Sequence, residues 1–237
     1  MTVLSIIAEW SKRLYKWFYS VRHGFWMLGF VVLSMIFDLL EEVNVKVDTW
    51  ISCSLDNRIP FVNVFVIPYI FWFWFVAAVA VVLVLKDKHG MYKFCATIYS
   101  GMSISLLIFW LFPHGQPLRV QISETDPDVF NRLVRYIYEH DTPTNTLPSI
   151  HVLNSIATDY ALQTSPFFKN KPGLRAVSAV ANVLIILSTV LIKQHSVIDI
   201  IPAFILAAVL RYVIYYVDWQ GIWERAKTRR LARSRNA

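Results

Sequence analysis

Runs of about twenty apolar residues recur along this chain, and they limit its fold more than any other feature. A bilayer core about 30 Å thick takes about 20 residues of helix to cross. Within it every backbone N–H and C=O must be satisfied inside the segment, which leaves helices or closed barrels. Residues 25–40, 61–85, 94–112, 148–168, 174–192 and 196–217 read as such spans. Composition agrees: 56% of the 237 residues are hydrophobic and 16% are charged, against about a quarter charged in soluble domains. The expected fold class is all-α, a polytopic membrane protein built as a six-transmembrane-helix bundle. The fourth run is the weakest, with Asn154, Ser155 and Asp159 inside it. Such a segment belongs inside the bundle or against a cavity.

The flanks divide the chain into a segment 1–22, a membrane domain 23–217 and a basic tail 218–237. In the first, Val3, Ile6, Ile7, Trp10, Leu14, Trp17, Phe18 and Val21 recur at three- and four-residue steps beside Lys12, Arg13 and Lys16. That pattern predicts an amphipathic helix lying on an anionic membrane surface. The charges interrupting it, with no small-residue cleavage site after it, argue against a signal peptide. In the loop 113–147, Asp126 and Pro127 predict a helix start. The stripe Val129, Phe130, Leu133, Val134, Ile137 and Tyr138 predicts a short outer-face helix over 127–140. The tail, basic from 225 to 235, fits an anchor to anionic lipid heads. Two cysteines, Cys53 and Cys95, make neither a disulfide framework nor a metal site.

Charge sets the orientation. Of 23 Lys and Arg residues, 17 fall in 1–23, 86–93, 169–175 and 211–237. The positive-inside bias puts both termini in the cytoplasm and the loops 41–60 and 113–147 outside, in a plasma or endomembrane. The net charge of +7 is therefore a topology signal, and no nucleic-acid partner is expected. His151, opening the fourth span, and His195, preceding the sixth, then share the extracytoplasmic face.

These histidines are the candidate chemistry. His195 and Asp199 are four apart and share one helix face. A carboxylate on one imidazole nitrogen fixes the tautomer and leaves the other nitrogen as a directed nucleophile or base. His151 supplies a second imidazole as acid or base. Such a pair can cleave a phosphate ester without metal, and Arg119 and Lys193 are the outer-side cations able to hold the phosphate. Ser149 reads as a helix cap and a phosphate donor. His114, His140 and Asp141 lie on the same side, but no metal-ligand spacing joins them, and no metal or other cofactor is expected.

Pro148-Ser149-Ile150-His151 resembles the P-S-G-H motif of the type 2 phosphatidic acid phosphatase (PAP2) superfamily. Ser188 through His195 to Asp199 resembles its S-R-x5-H-x3-D motif, and Pro113 through Arg119 stands in the place of its first, basic motif. Asp141-Thr142-Pro143-x-Asn145 before P-S-x-H, and Lys193-Gln194-His195 before the final Asp, resemble the branch with inositol phosphorylceramide synthase and sphingomyelin synthase. The resemblance implies catalysis at the extracytoplasmic face through a phosphohistidine on His195, with Asp199 orienting it and His151 as acid/base. Arg119, Lys193, Ser149 and Ser188 would bind the phosphate. The partners would be a lipid phosphate ester and an alcohol or lipid acceptor. Thr189 stands where the motif has Arg, Ile150 where it has Gly, and the first motif keeps one Arg. Fewer cations suit a singly charged phosphodiester, which favours head-group transfer over monoester hydrolysis. A monoester phosphatase, or a non-catalytic lipid transporter or scaffold on the same fold, are the alternatives.

Overall fold

A computed structural model describes residues 3–44, 46–225 and 227. Among them the architecture is helical. The helices are α1 (Val3–Val21), α2 (Leu28–Val43), α3 (Val66–Lys86), α4 (Lys88–Leu111), α5 (Val129–His140), α6 (Ile150–Thr164), α7 (Pro172–Leu191) and α8 (Val197–Arg211). Their boundaries follow from local chemistry. Asp87 accepts the Gly90 N–H at the start of α4, and Pro172 opens α7 where no intrahelical donor is required. Ser196 and Asp199 close a reciprocal capping box at the start of α8. The helix expected over 127–140 begins two residues later, because Asp128 is its cap: Asp128 Oδ1 accepts the N–H groups of Phe130 and Asn131. Asp126 instead accepts from the Asp128 N–H, in the turn before the helix.

Among the described residues, five helical segments are long and apolar enough to cross a membrane: Glu9–Val43, Asn63–Lys86, Lys88–Leu111, Pro172–Leu191 and Val197–Tyr216. The fourth expected span is not among them. Its helix, α6, has 15 residues, about 22 Å at 1.5 Å per residue. It sits in the middle of the bundle against α3, α4, α7 and α8, with Asn154, Ser155 and Thr158 fully buried. Protein on several sides of α6 lets it carry polar groups that a lipid-facing helix could not. Small residues bring the helices close: Ala157 and Ala161 on α6, Ala203 and Ala207 on α8. At Gly101 of α4, a Cβ would stand 2.5 Å from Leu153.

The segment 1–22 expected to lie on the membrane surface contains α1, which exposes Trp10, Trp17 and Phe18 and runs through a 3-10 turn, Arg22–Met27, into α2. In the tail, residues 219–225 are helical; 226 and 228–237, with most of the expected basic anchor, lie outside the described residues.

The chain reverses direction at each turn. The ends of α2, α4 and α7 and the starts of α3, α6 and α8 therefore gather at one end of the bundle, with α5 packed over them. Val66, Tyr69, Val134, Ile137 and Ile192 form a small core beneath α5. Gly115 stitches the loops there: its N–H bonds the Thr49 carbonyl, its carbonyl accepts from Ile51, and a Cβ would press on the Pro143 oxygen at 2.8 Å. That is a close approach only glycine permits.

Candidate active site

Two N-terminal helix caps carry the site. Ser149 caps α6, accepting weakly from the Val152 N–H at 3.4 Å, and this places His151 in the first turn. Ser196 caps α8, leaving His195 just ahead of the helix and Asp199 one turn in. The caps are joined directly, since the Ser149 N–H donates to the Asp199 carbonyl at 3.1 Å. Asp199, fully buried, meets His195 Nδ1 at 3.3 Å and accepts the Ser196 N–H at 2.8 Å through the same oxygen, Oδ2. With Nδ1 on the carboxylate, Nε2 is the nitrogen left for chemistry. The His151 ring centre lies 5.8 Å from that of His195. It is held between Tyr69, stacked at 4.5 Å, and Trp72, at 4.4 Å.

Both histidines line a cavity of about 480 Å³. Its walls are mixed. Phe30, Phe37, Ile70, Phe73, Met102 and Ile150 contribute apolar wall, while Asp38, Glu41, Asp141, Asn145, Thr146 and Gln194 contribute polar wall. A cavity so lined fits a chain-bearing molecule with a polar head against the histidines.

The other expected site residues are placed differently. Lys193 is buried, in left-handed backbone at φ 59°. Its Nζ donates to the carbonyls of Asp56 at 2.7 Å and Ile59 at 2.5 Å, and burial lowers its pKa. Arg119 donates Nη1 to the Tyr138 carbonyl at 2.7 Å, and Nη2 to the Asp141 carbonyl and to Gln194 Oε1. It packs on the Tyr138 ring, and burial lowers its pKa too. Neither cation is among the residues lining the cavity. Ser188 donates to the Ile185 carbonyl inside α7, and Thr189 to that of Ile186; both are fully buried. The structure brings together His151, His195, Asp199 and Ser149, and ties Arg119 and Lys193 to the loops around them.

Three further residues build the shell around the site, and one of them, Asp56, carried no sequence signal. Asp56 reaches across 140 positions: it accepts from Ser196 Oγ at 2.6 Å, the Val197 N–H at 2.8 Å and the Cys53 N–H at 2.7 Å. Burial alone would raise its pKa, but those hydrogen bonds outweigh burial and hold the carboxyl below its usual range. Asp141 accepts from Tyr69 Oη at 2.7 Å and Gln194 Nε2 at 2.8 Å. Burial raises its pKa, against the Tyr69 hydrogen bond and the Arg119 charge. His114, fully buried, takes the Leu147 N–H on Nε2 at 2.7 Å, so Nδ1 carries the proton that meets the Phe112 carbonyl. It is a neutral pin holding the 142–148 segment, and burial lowers its pKa. Of these, Asp141 lay inside a noticed string, whereas Asp56 is one carboxylate in an ordinary loop. Among the described residues no group of three or more His, Cys, Asp or Glu could hold a metal ion.

A family model described as the PAP2 superfamily matches residues 34–213, more than half of the chain. The chain belongs to the PAP2 superfamily. Members of that superfamily are generally phosphatases and phosphotransferases, and the match spans both histidines, Asp199 and the cavity-lining residues other than Phe30. No curated protein and no solved structure matches the chain.

Proposed function

We propose that this PAP2 protein cleaves a lipid phosphate ester through a phosphohistidine on His195 and passes the phosphoryl head group to an alcohol acceptor. The observation that carries this reading is one geometry. A carboxylate-held His195 and a second imidazole, His151, line one cavity with both polar and apolar side chains in its wall. His195 Nε2 attacks phosphorus with its lone pair, the bond from phosphorus to the leaving lipid oxygen breaks, and His151 gives that oxygen its proton. In the second half an acceptor hydroxyl loses its proton to His151 and attacks phosphorus, and the P–N bond breaks to restore His195. Asp199 holds the Nδ1 proton throughout and steadies the charge on the ring. Arg119 and Lys193 act at one remove: they clamp residues 192–195 against α5 and the loop before α3, and so aim His195.

The positive-inside charge bias supports an extracytoplasmic site in a six-span arrangement with α6 as the short inner helix. The Asp141-Thr142-Pro143-x-Asn145 string supports the sphingolipid head-group transferase branch. The test is purified protein in micelles, given phosphatidic acid or a phosphodiester lipid with an alcohol acceptor. A new lipid carrying the transferred head group is the expected product. Release of inorganic phosphate from phosphatidic acid alone would make it a monoester phosphatase. Wild type indistinguishable from His195→Ala on every substrate would leave a lipid-binding or transport role.

A further inference from the structure

The segment before His151 offers the cavity two hydrogen-bond donors that the protein leaves unused. Asn44 Nδ2 donates to the Phe109 carbonyl at 3.1 Å and to Asn145 Oδ1 at 2.8 Å. The Phe109 carbonyl can only accept, so the Asn44 amide is oriented, and Asn145 must accept with its oxygen and turn its NH₂ elsewhere. That Asn145 Nδ2 is buried and has no partner; nor has the buried Thr146 Oγ1. Asn145 and Thr146 are 4% and 3% exposed, and both line the cavity with His151 and His195. Their neighbours are already engaged: Thr142 Oγ1 donates to Glu41 at 2.6 Å, which leaves the Thr144 hydroxyl to donate to Thr142 at 2.8 Å. Asn145 is held in place by left-handed backbone, φ 56°, a conformation asparagine tolerates better than most residues. A buried donor left unpaired is costly, which points to a ligand that supplies the acceptors.

Among the described residues no Lys or Arg lines this cavity, whereas three carboxylates do, Asp38, Glu41 and Asp141. We propose that Asn145 Nδ2 and Thr146 Oγ1 bind the non-bridging oxygens of a singly charged phosphodiester, and that this neutral cradle among carboxylates discriminates against a phosphomonoester. A monoester carries about −1.5 to −2 at neutral pH, and nothing but histidine would offset that charge in the cavity. The proposal rests on the lipid phosphoryl-transfer reading and names the ester class at the same site.

The test measures binding as well as turnover. In His195→Ala protein, which keeps the lipid uncleaved, dihexanoyl phosphatidylmethanol and dihexanoyl phosphatidic acid are titrated against tryptophan fluorescence, with Trp72 in the cavity wall as reporter. The diester is expected to bind at least about tenfold more tightly. Adding Thr146→Val or Asn145→Asp should weaken diester binding about ten- to a hundredfold, the loss expected for a hydrogen bond to a charged group. Thr146→Ser, which restores the hydroxyl, should bring it back to within about threefold. A purely structural role would lower thermal stability equally for valine and serine and leave Kd of the folded protein unmoved. Diester binding unchanged in both Thr146→Val and Asn145→Asp would overturn the proposal, as would phosphatidic acid binding as tightly as the diester. Binding that depends on Asn145 and Thr146 in a protein that turns over no lipid ester would uphold this site while removing the catalytic reading.

Discussion

Two pairs of side chains near the histidines are used in opposite ways. Arg119 and Lys193 carry full charges, and Arg119 Nη1 and Nη2 and Lys193 Nζ donate to carbonyls of the protein and to Gln194, leaving Arg119 Nε unpaired but outside the cavity lining. Asn145 and Thr146 carry none, and each keeps a donor free in the cavity wall. Residue type alone would assign the cations to the phosphate and the amide and hydroxyl to loop structure; the packing instead ties Arg119 and Lys193 to protein acceptors and leaves unpaired donors on Asn145 and Thr146 in the cavity wall. A strong donor buried beside backbone carbonyls is drawn to them, because each unpaired buried acceptor is costly. Here those carbonyls belong to loops that must be anchored if His195 is to stay aimed.

The predictions bear on that contrast, starting with the centre both pairs serve. His195→Ala should remove activity by at least roughly 10³-fold, since His195 is the proposed nucleophile. His151→Ala should cost about 10²–10⁴, the range for general acid–base catalysis. Both should leave the helix content unchanged by circular dichroism. If the cations are scaffold, Arg119→Met should lower Tm by roughly 4–8 °C, as expected for about 2 kcal/mol in a protein of this size. It should leave KM within about threefold. A tenfold rise in KM at unchanged Tm would instead make Arg119 a phosphate ligand and break the contrast.

Asp56 extends the comparison to an anion used as scaffold. Asp56→Ala removes two hydrogen bonds at the start of α8 and one within its own loop, and should lower Tm and kcat together, with the cation-anchoring loop 47–60 becoming more susceptible to protease. Because its folded-state pKa is lowered, Asp56 contributes stability above its unfolded value of about 3.9, and that contribution is lost as pH falls through the folded value.

The smallest effect belongs to His114. Burial lowers its pKa, so below the unfolded value of about 6.5 the unfolded chain takes up a proton that the folded chain refuses. Its stabilising contribution is present above that pH and falls as pH drops, by at most about 1.4 kcal/mol per pH unit. Tm followed from pH 7 to 5.5 should decline in wild type and decline less in His114→Gln. Equal slopes would show that His114 is not the neutral pin described here.

What could be read in the sequence divides along the same physical line. Long apolar helices announce themselves through twenty-residue runs, and five of the expected spans appear as such. α6 does not, because a helix wrapped by other helices is free of the length and polarity rules that lipid imposes. The four-residue spacing announced the His195–Asp199 pairing, but not its form: His195 stands just ahead of α8, and the two meet at the helix cap rather than along one helix face. The partners of Lys193 lie 134 and 137 positions away and that of Asn145 lies 101 away. No local pattern encodes such contacts, so the roles of those side chains emerge only from the packed structure. The onset of α5 missed by two residues because two aspartates in one turn compete as caps, and Asp128 is the one whose oxygen reaches the free N–H groups.

The most direct measurement of the central claim is the covalent state of His195 during turnover. Protein incubated with a phosphodiester lipid is quenched at alkaline pH, where phosphohistidine survives, and its peptides are analysed by mass spectrometry. The account predicts the phosphoryl head group on the His195 peptide in wild type, more of it in His151→Ala without acceptor, and none in His195→Ala. Turnover that proceeds with no adduct on His195, or with the adduct on another residue, would contradict it.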